Sequence, residues 1–132
     1  MADKSHKKVL IVEDDDFLQN MLNIKLSKEG FNTKTASDGI EAFEVLEDFH
    51  PDLIILDLVM PRKNGFEVLE DLKLNKKLSK IPVIVFTNLA QDSDKERVAE
   101  YDVMEYLIKA DTPIQSLVDK VEEVCSGKDC KK

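Results

Sequence analysis

Three short runs of uninterrupted or nearly uninterrupted apolar residues stand out along the chain: Val9 to Val12, Leu53 to Leu56 and Ile81 to Phe86. They show no polar alternation and are rich in Val, Ile and Leu, which predicts strands buried on both faces, as parallel sheets require. Phe31 to Ala36 and Tyr106 to Ile108 read as two weaker strands. Between these runs the apolar spacing changes to that of helices. Leu18, Met21, Leu22 and Leu26 stand on one stripe that ends at Gly30, where a glycine can close a helix. Asp38, with Glu41 three residues on, announces a second helix whose inner side carries Ala42, Phe43, Leu46 and Phe49, and Pro51 follows its end. A third helix is predicted from about Asn64 with Val68, Leu69 and Leu72 inward, and a fourth, the least apolar, over Asp92 to Tyr101. The last is expected to open with Thr112 as N-cap and Pro113 at its first position, hiding Leu117, Val118, Val121, Val124 and Cys125. Strands alternating with helices imply a doubly wound α/β fold, because parallel neighbours need crossover connections.

Composition narrows the classes. The 132 residues carry 27 acidic and 19 basic side chains, a formal charge of −8, and are 42% hydrophobic. That is enough for one domain with its own core, without disulfides or structural metal. The acidic balance argues against direct nucleic-acid binding, which draws its affinity from clustered Lys and Arg. No apolar stretch nears the roughly 20 residues that span a bilayer, and Met1 to Lys8 is not followed by a signal-type apolar segment. A cytoplasmic protein is expected. Cys125 and Cys130 have no further ligands nearby and are read as structural or incidental. Residues 1–7 and 126–132 are expected to be tails around a domain over 8–125. The basic stretch of Lys63, Lys73, Lys76, Lys77 and Lys80 reads as a solvated surface.

Candidate chemistry falls where the predicted strands end. Glu13, Asp14, Asp15 and Asp16 follow the first strand, Asp57 the third, Thr87 the fourth and Lys109 the fifth. In open parallel sheets functional groups gather outside those carboxyl ends. Glu13, Asp14 and Asp57 in one crevice would repel one another by on the order of 1–4 kcal/mol per pair. Lys109 supplies one compensating charge, and a hard divalent cation with oxygen ligands suits the rest, Mg²⁺ in particular. A calcium EF-hand does not fit, since Gln19 and Lys25 stand where its glycine and bidentate glutamate belong.

With these residues in place, the chain closely resembles the receiver domain of two-component response regulators. The resemblance covers Lys8 to about Cys125 and rests on VLIVEDD from Val9, IILDLVMPRKNG from Ile54 to Gly65, VIVFTN from Val83 to Asn88 and YLIK from Tyr106 to Lys109. It implies a flavodoxin-like (βα)5 sheet in the order 2-1-3-4-5. It also implies Asp57 as phosphoryl acceptor, Mg²⁺ held by Glu13, Asp14, Asp57 and the carbonyl of Val59, and phosphoryl oxygens held by Thr87 and Lys109. Thr87 and Tyr106 would form the switch that re-forms the partner-binding surface. The implied donor is a sensor histidine kinase or a histidine phosphotransfer protein. The implied recipient is a downstream protein target, with a phosphorylation-linked homodimer as a further option.

The sequence departs from the family pattern in places. Ala110 follows Lys109 where the family usually has a proline, commonly cis, so the aim of that loop is open. Asn88 follows Thr87 where a small residue is usual, and Asp102 and Val103 replace the usual small pair. Val59 and Leu89 flank the route of an attacking water in the family. Both are branched and apolar, which predicts slow self-dephosphorylation; beyond that and self-phosphorylation, a signalling receiver is expected rather than an enzyme. Met60, Pro61 and Gly65 read as scaffold for the loop. Three rival readings compete with this one: an aspartate-nucleophile phosphohydrolase, whose second acid would fall at Val59; an FMN carrier, whose phosphate the EDDD run would repel; and a receiver-shaped module that is never phosphorylated. The sequence stops a few residues past the last helix, so no output domain is expected, whether the receiver stands alone or is excised from a longer regulator.

Overall fold

The computed structural model describes residues 7–126. Five strands, β1 (Lys8–Val12), β2 (Asn32–Ala36), β3 (Leu53–Leu56), β4 (Val83–Thr87) and β5 (Glu105–Ile108), alternate with five helices, α1 (Asp16–Lys28), α2 (Gly39–Leu46), α3 (Gly65–Leu74), α4 (Asp92–Val98) and α5 (Ile114–Cys125). All neighbouring strands are parallel and the sheet order is β2-β1-β3-β4-β5. The expected architecture and order are thus present.

The unbroken apolar runs have a simple cause: side chains alternate in direction along a strand, and both directions here lead into protein. Leu10, Val12, Ile54, Leu56 and Val85 point to one side, against Ala42 and Leu46 of α2, Val68, Leu69 and Leu72 of α3 and Val98 of α4. Val9, Ile11, Leu53, Ile55, Ile84 and Phe86 point to the other, against Leu22 and Leu26 of α1 and Leu117, Val118, Val121 and Val124 of α5. Each fully buried aliphatic side chain contributes about 1.5–3 kcal/mol by leaving water. The edge strand β2 instead alternates, with Asn32 and Lys34 exposed, the polar treatment that discourages edge-to-edge pairing.

Several boundaries differ from expectation. β4 begins at Val83 rather than Ile81 because the Ile81 N–H is used in a turn to Leu78 and Pro82 has no N–H; only the Pro82 carbonyl joins the ladder, accepting from Ile54 at 2.9 Å. β2 starts at Asn32 and β5 at Glu105. α4 stops at Val98, and Tyr101 lies in the turn that follows, its N–H on the Val98 carbonyl. α2 ends at Leu46, leaving Phe49 buried just beyond it. The start of α5 also differs. Thr112 is not its N-cap: a 3-10 turn over Lys109–Asp111 intervenes, Pro113 takes the cap position, and no side chain caps the helix. No cis peptide occurs among the described residues, so Lys109–Ala110 is trans. Among the described residues no helix is long and apolar enough to cross a membrane. Residues 1–6 and 127–132, with Cys130, lie outside the description, while Cys125 is buried in α5 as expected.

Candidate functional site

Parallel pairing brings the carboxyl ends of β1, β3, β4 and β5 to one edge, and the chain places its acids and its lysine in the residues that follow. The Glu13 N–H donates to Ala36 at 2.9 Å and the Asp57 N–H to Val12 at 3.0 Å, so each acid continues the ladder by one residue. Both side chains are buried. Thr87 is paired with Ile108, which immediately precedes Lys109.

Lys109 ties the acids together. Its Nζ lies 2.9 Å from Glu13 Oε1 and 3.0 Å from Asp57 Oδ2, with the side chain only 17% exposed. Burial alone would lower its pKa, but the hydrogen bonds to Glu13 and Asp57 outweigh that effect and hold the ammonium above its ordinary value. For Glu13 the balance is reversed: burial, helped by the nearby Asp57, raises its pKa against the lowering pull of Lys109 and of the Asp15 N–H. That N–H donates to Glu13 Oε2 at 3.0 Å.

Asp14, which is exposed, completes a group. Glu13, Asp14 and Asp57 each offer a carboxylate oxygen within 4.8 Å of the others. Three acids facing one ammonium leave an excess of negative charge, two of its carriers buried. All-oxygen donors with an exposed member to admit a hydrated ion fit a small divalent metal.

The remaining expected residues surround this cluster. The Val59 N–H approaches Asp57 Oδ1 at 3.3 Å, while the residue is 55% exposed. Thr87 is fully buried, and its Oγ1 accepts a long hydrogen bond of 3.4 Å from the Leu89 N–H. Tyr106 is half-buried and donates to the Leu89 carbonyl at 2.7 Å, so both expected switch residues contact the same loop after β4. Gly65 lets that geometry exist on the β3 side: a Cβ there would lie 2.4 Å from the Asp57 carbonyl oxygen.

Other supporting residues carried weaker signals. Asp15 caps α1 by accepting from the Phe17 and Leu18 N–H groups at 3.0 and 3.2 Å; an acid just before a helical stripe is the available sequence sign. Gln19 donates its amide to the carbonyls of Glu13 at 2.8 Å and Ala36 at 3.2 Å, pinning the ends of β1 and β2, and no local pattern announces that reach. Lys63 departs from the solvated reading: its ammonium pairs with Asp71 and lies 5.1 Å over the Phe43 ring.

The family model described as the response regulator receiver domain matches residues 9–122. A probable transcriptional regulator, ycf29 of Pyropia yezoensis, is 43% identical over 96 residues, covering 73% of this chain and 42% of that protein. The chain therefore spans less than half of that relative's length. The polar-differentiation response regulator DivK of Brucella ovis is 34% identical over 103 residues, covering 78% of this chain and 84% of its own. Among solved structures, the signal receiver domain of a signal transduction histidine kinase from Syntrophus aciditrophicus superimposes with a TM-score of 0.83 at 32% identity, covering 92% of each chain.

Proposed function

The chain belongs to the response regulator receiver domain family, whose members are phosphorylation-dependent signalling domains, and from that premise we propose that Asp57 is its phosphoryl acceptor. The observation that carries this reading is the buried Asp57 carboxylate hydrogen-bonded at 3.0 Å to a lysine ammonium that also holds Glu13 at 2.9 Å. A carboxylate so held is aimed, and the ammonium beside it attracts a phosphoryl dianion that the acids alone would repel.

In the proposed transfer, an Asp57 carboxylate oxygen attacks the phosphorus of a phosphohistidine. The new O–P bond forms as the P–N bond breaks, and the imidazole departs with its electron pair and takes a proton. Glu13, Asp14, Asp57 and the Val59 carbonyl are the groups that would hold Mg²⁺, which when bound supplies charge compensation. Lys109 moves with its charge from the carboxylate to a phosphoryl oxygen. The acyl phosphate adds roughly one unit of negative charge and new acceptor oxygens, and the Thr87 hydroxyl is the donor we assign to one of them. Its present partner is the Leu89 N–H, and Tyr106 holds the Leu89 carbonyl. Drawing Thr87 inward thus disturbs the loop to which Tyr106 is bonded, which supplies a route from chemistry to the surface of α4, β5 and α5. The donor this reading requires is a sensor histidine kinase or a histidine phosphotransfer protein that meets the chain in the cytoplasm, and the output is contact with a downstream protein or a second copy. A phosphohydrolase reading lacks support, since the side chain two residues after Asp57 is the apolar Val59.

Intact-mass measurement after incubation with a small acyl phosphate and Mg²⁺ tests the assignment. One phosphoryl group should add to the wild-type chain and none to Asp57→Asn. Equal uptake by both would remove Asp57 from the role.

A further inference from the structure

Arg62 is the one non-glycine residue among those described with a left-handed backbone, at φ 64°. Such a conformation disfavours a side chain bearing a Cβ, so an arginine there calls for a reason. Its guanidinium reaches back across the N-terminus of α2, with Nε 2.7 Å and Nη2 2.6 Å from the same oxygen of Asp38. The Asp38 side chain is 6% exposed and the Arg62 side chain 60%. The other Asp38 oxygen accepts the Glu41 N–H at 2.9 Å, so this carboxylate caps α2 and receives Arg62 at once.

A second tie lies beside the first. The Gly39 N–H donates to the Lys63 carbonyl at 2.9 Å, and a Cβ at Gly39 would come within 2.6 Å of the Lys63 side chain. The β3–α3 loop that follows Asp57 is therefore held at both ends of its arc. At its base Gly65 donates to Leu58 at 3.1 Å, and at its outer bend Arg62 and Lys63 are fastened to the start of α2. Between these points lies Val59, next to the acceptor.

We infer that Asp38 and Arg62 form a positioning pair that fixes the loop after Asp57, and with it the backbone oxygen at Val59, in the arrangement needed for divalent-cation binding and phosphoryl uptake. This rests on the reading of Asp57 as acceptor. Neither residue touches the reacting atoms; the pair acts through the loop. Two donors on one planar group suit this task, because a guanidinium fixes direction as well as charge.

Arg62→Gly is the informative variant, since glycine accepts the left-handed backbone while deleting the guanidinium. Asp38→Asn keeps a helix-capping oxygen while deleting the charge. Calorimetric titration with Mg²⁺ should show each single variant binding about 10-fold more weakly, and the double variant no worse than the singles, as for two residues acting as a unit. Phosphoryl uptake from a small acyl phosphate should slow in parallel, and exchange of the Gly65 N–H should quicken while the thermal midpoint of Arg62→Gly changes little. Wild-type affinity and wild-type Gly65 exchange in both single variants would overturn the pair's role while leaving Asp57 in place. A wild-type chain that gains no phosphoryl mass would overturn the acceptor assignment and, with it, the pair's part in phosphoryl uptake.

Discussion

At the scale of single residues, the site is governed by which charges lie within reach of one another. Lys109 neutralises only part of the charge of Glu13, Asp14 and Asp57, and the remaining negative excess is what favours a divalent cation. Whether the proposed acyl phosphate lasts depends on different side chains. Val59 stands two residues after Asp57, the proposed acceptor, and is largely exposed, and Leu89 lies in the loop contacted by Thr87 and Tyr106. Two apolar groups give an incoming water nothing to hold it in line. The phosphorylated chain should therefore persist well beyond seconds, and Val59→Asn combined with Leu89→Glu should shorten its lifetime by about 10-fold or more, a cautious share of what general-base positioning supplies. Following the decay of the added phosphoryl mass checks both statements, and a short lifetime indifferent to the double substitution would refute them.

At the scale of elements, helix ends do as much as helix faces. Asp15, Asp38 and Asn64 each cap a helix whose start lies at the functional edge of the sheet, and Asn64 forms a reciprocal capping box with Glu67. Asp38 adds a pH dependence. The Glu41 N–H, and then Arg62, hold its pKa below the ordinary 3.8. The unfolded chain thus takes up this proton first. The stability contributed is whole above about pH 3.8 and is lost as pH falls through the lowered folded value. Urea unfolding near neutrality should show Asp38→Ala less stable by about 0.5–2 kcal/mol, the usual worth of an N-cap. That difference should shrink as pH falls below 3.8 and through the lowered folded value, where the wild-type carboxylate is itself protonated.

At the scale of the whole molecule, the two apolar layers fold the chain without help from the site. The core residues on both faces of the sheet are aliphatic or aromatic apart from Met60 and Cys125, and none of them is charged. Chelation should therefore leave the fold intact. Added Mg²⁺ should raise the unfolding midpoint, because an ion bound only by the folded cluster stabilises it by about 2.7 kcal/mol at one hundred times its dissociation constant. Asp57→Asn, with one anionic ligand fewer, should show a smaller rise at the same concentration. Thermal scans with and without Mg²⁺ measure this, and an equal rise in both proteins would argue that the ion binds elsewhere.

The amino-acid order alone determined the layers and the placement of chemistry: β1, β3 and β4 read as buried because their residues are apolar in both directions, and the groups ending those strands had to emerge at one edge once the strands were parallel. Its local punctuation was legible at Asp38 and Asn64, where the helix signals are close in sequence. It was not legible at Thr112, displaced from its capping role by the turn after Lys109, nor at Gln19, Lys63 and Arg62. Those side chains act on partners that are remote in sequence or set by a loop's path: Gln19 on the end of β2, Lys63 on α2 and Asp71, Arg62 on Asp38. Pairing across such distances depends on where helices dock on the sheet and on one backbone turning left-handed. Only the packed tertiary structure decides that, because neither condition is encoded in the spacing of neighbouring residues.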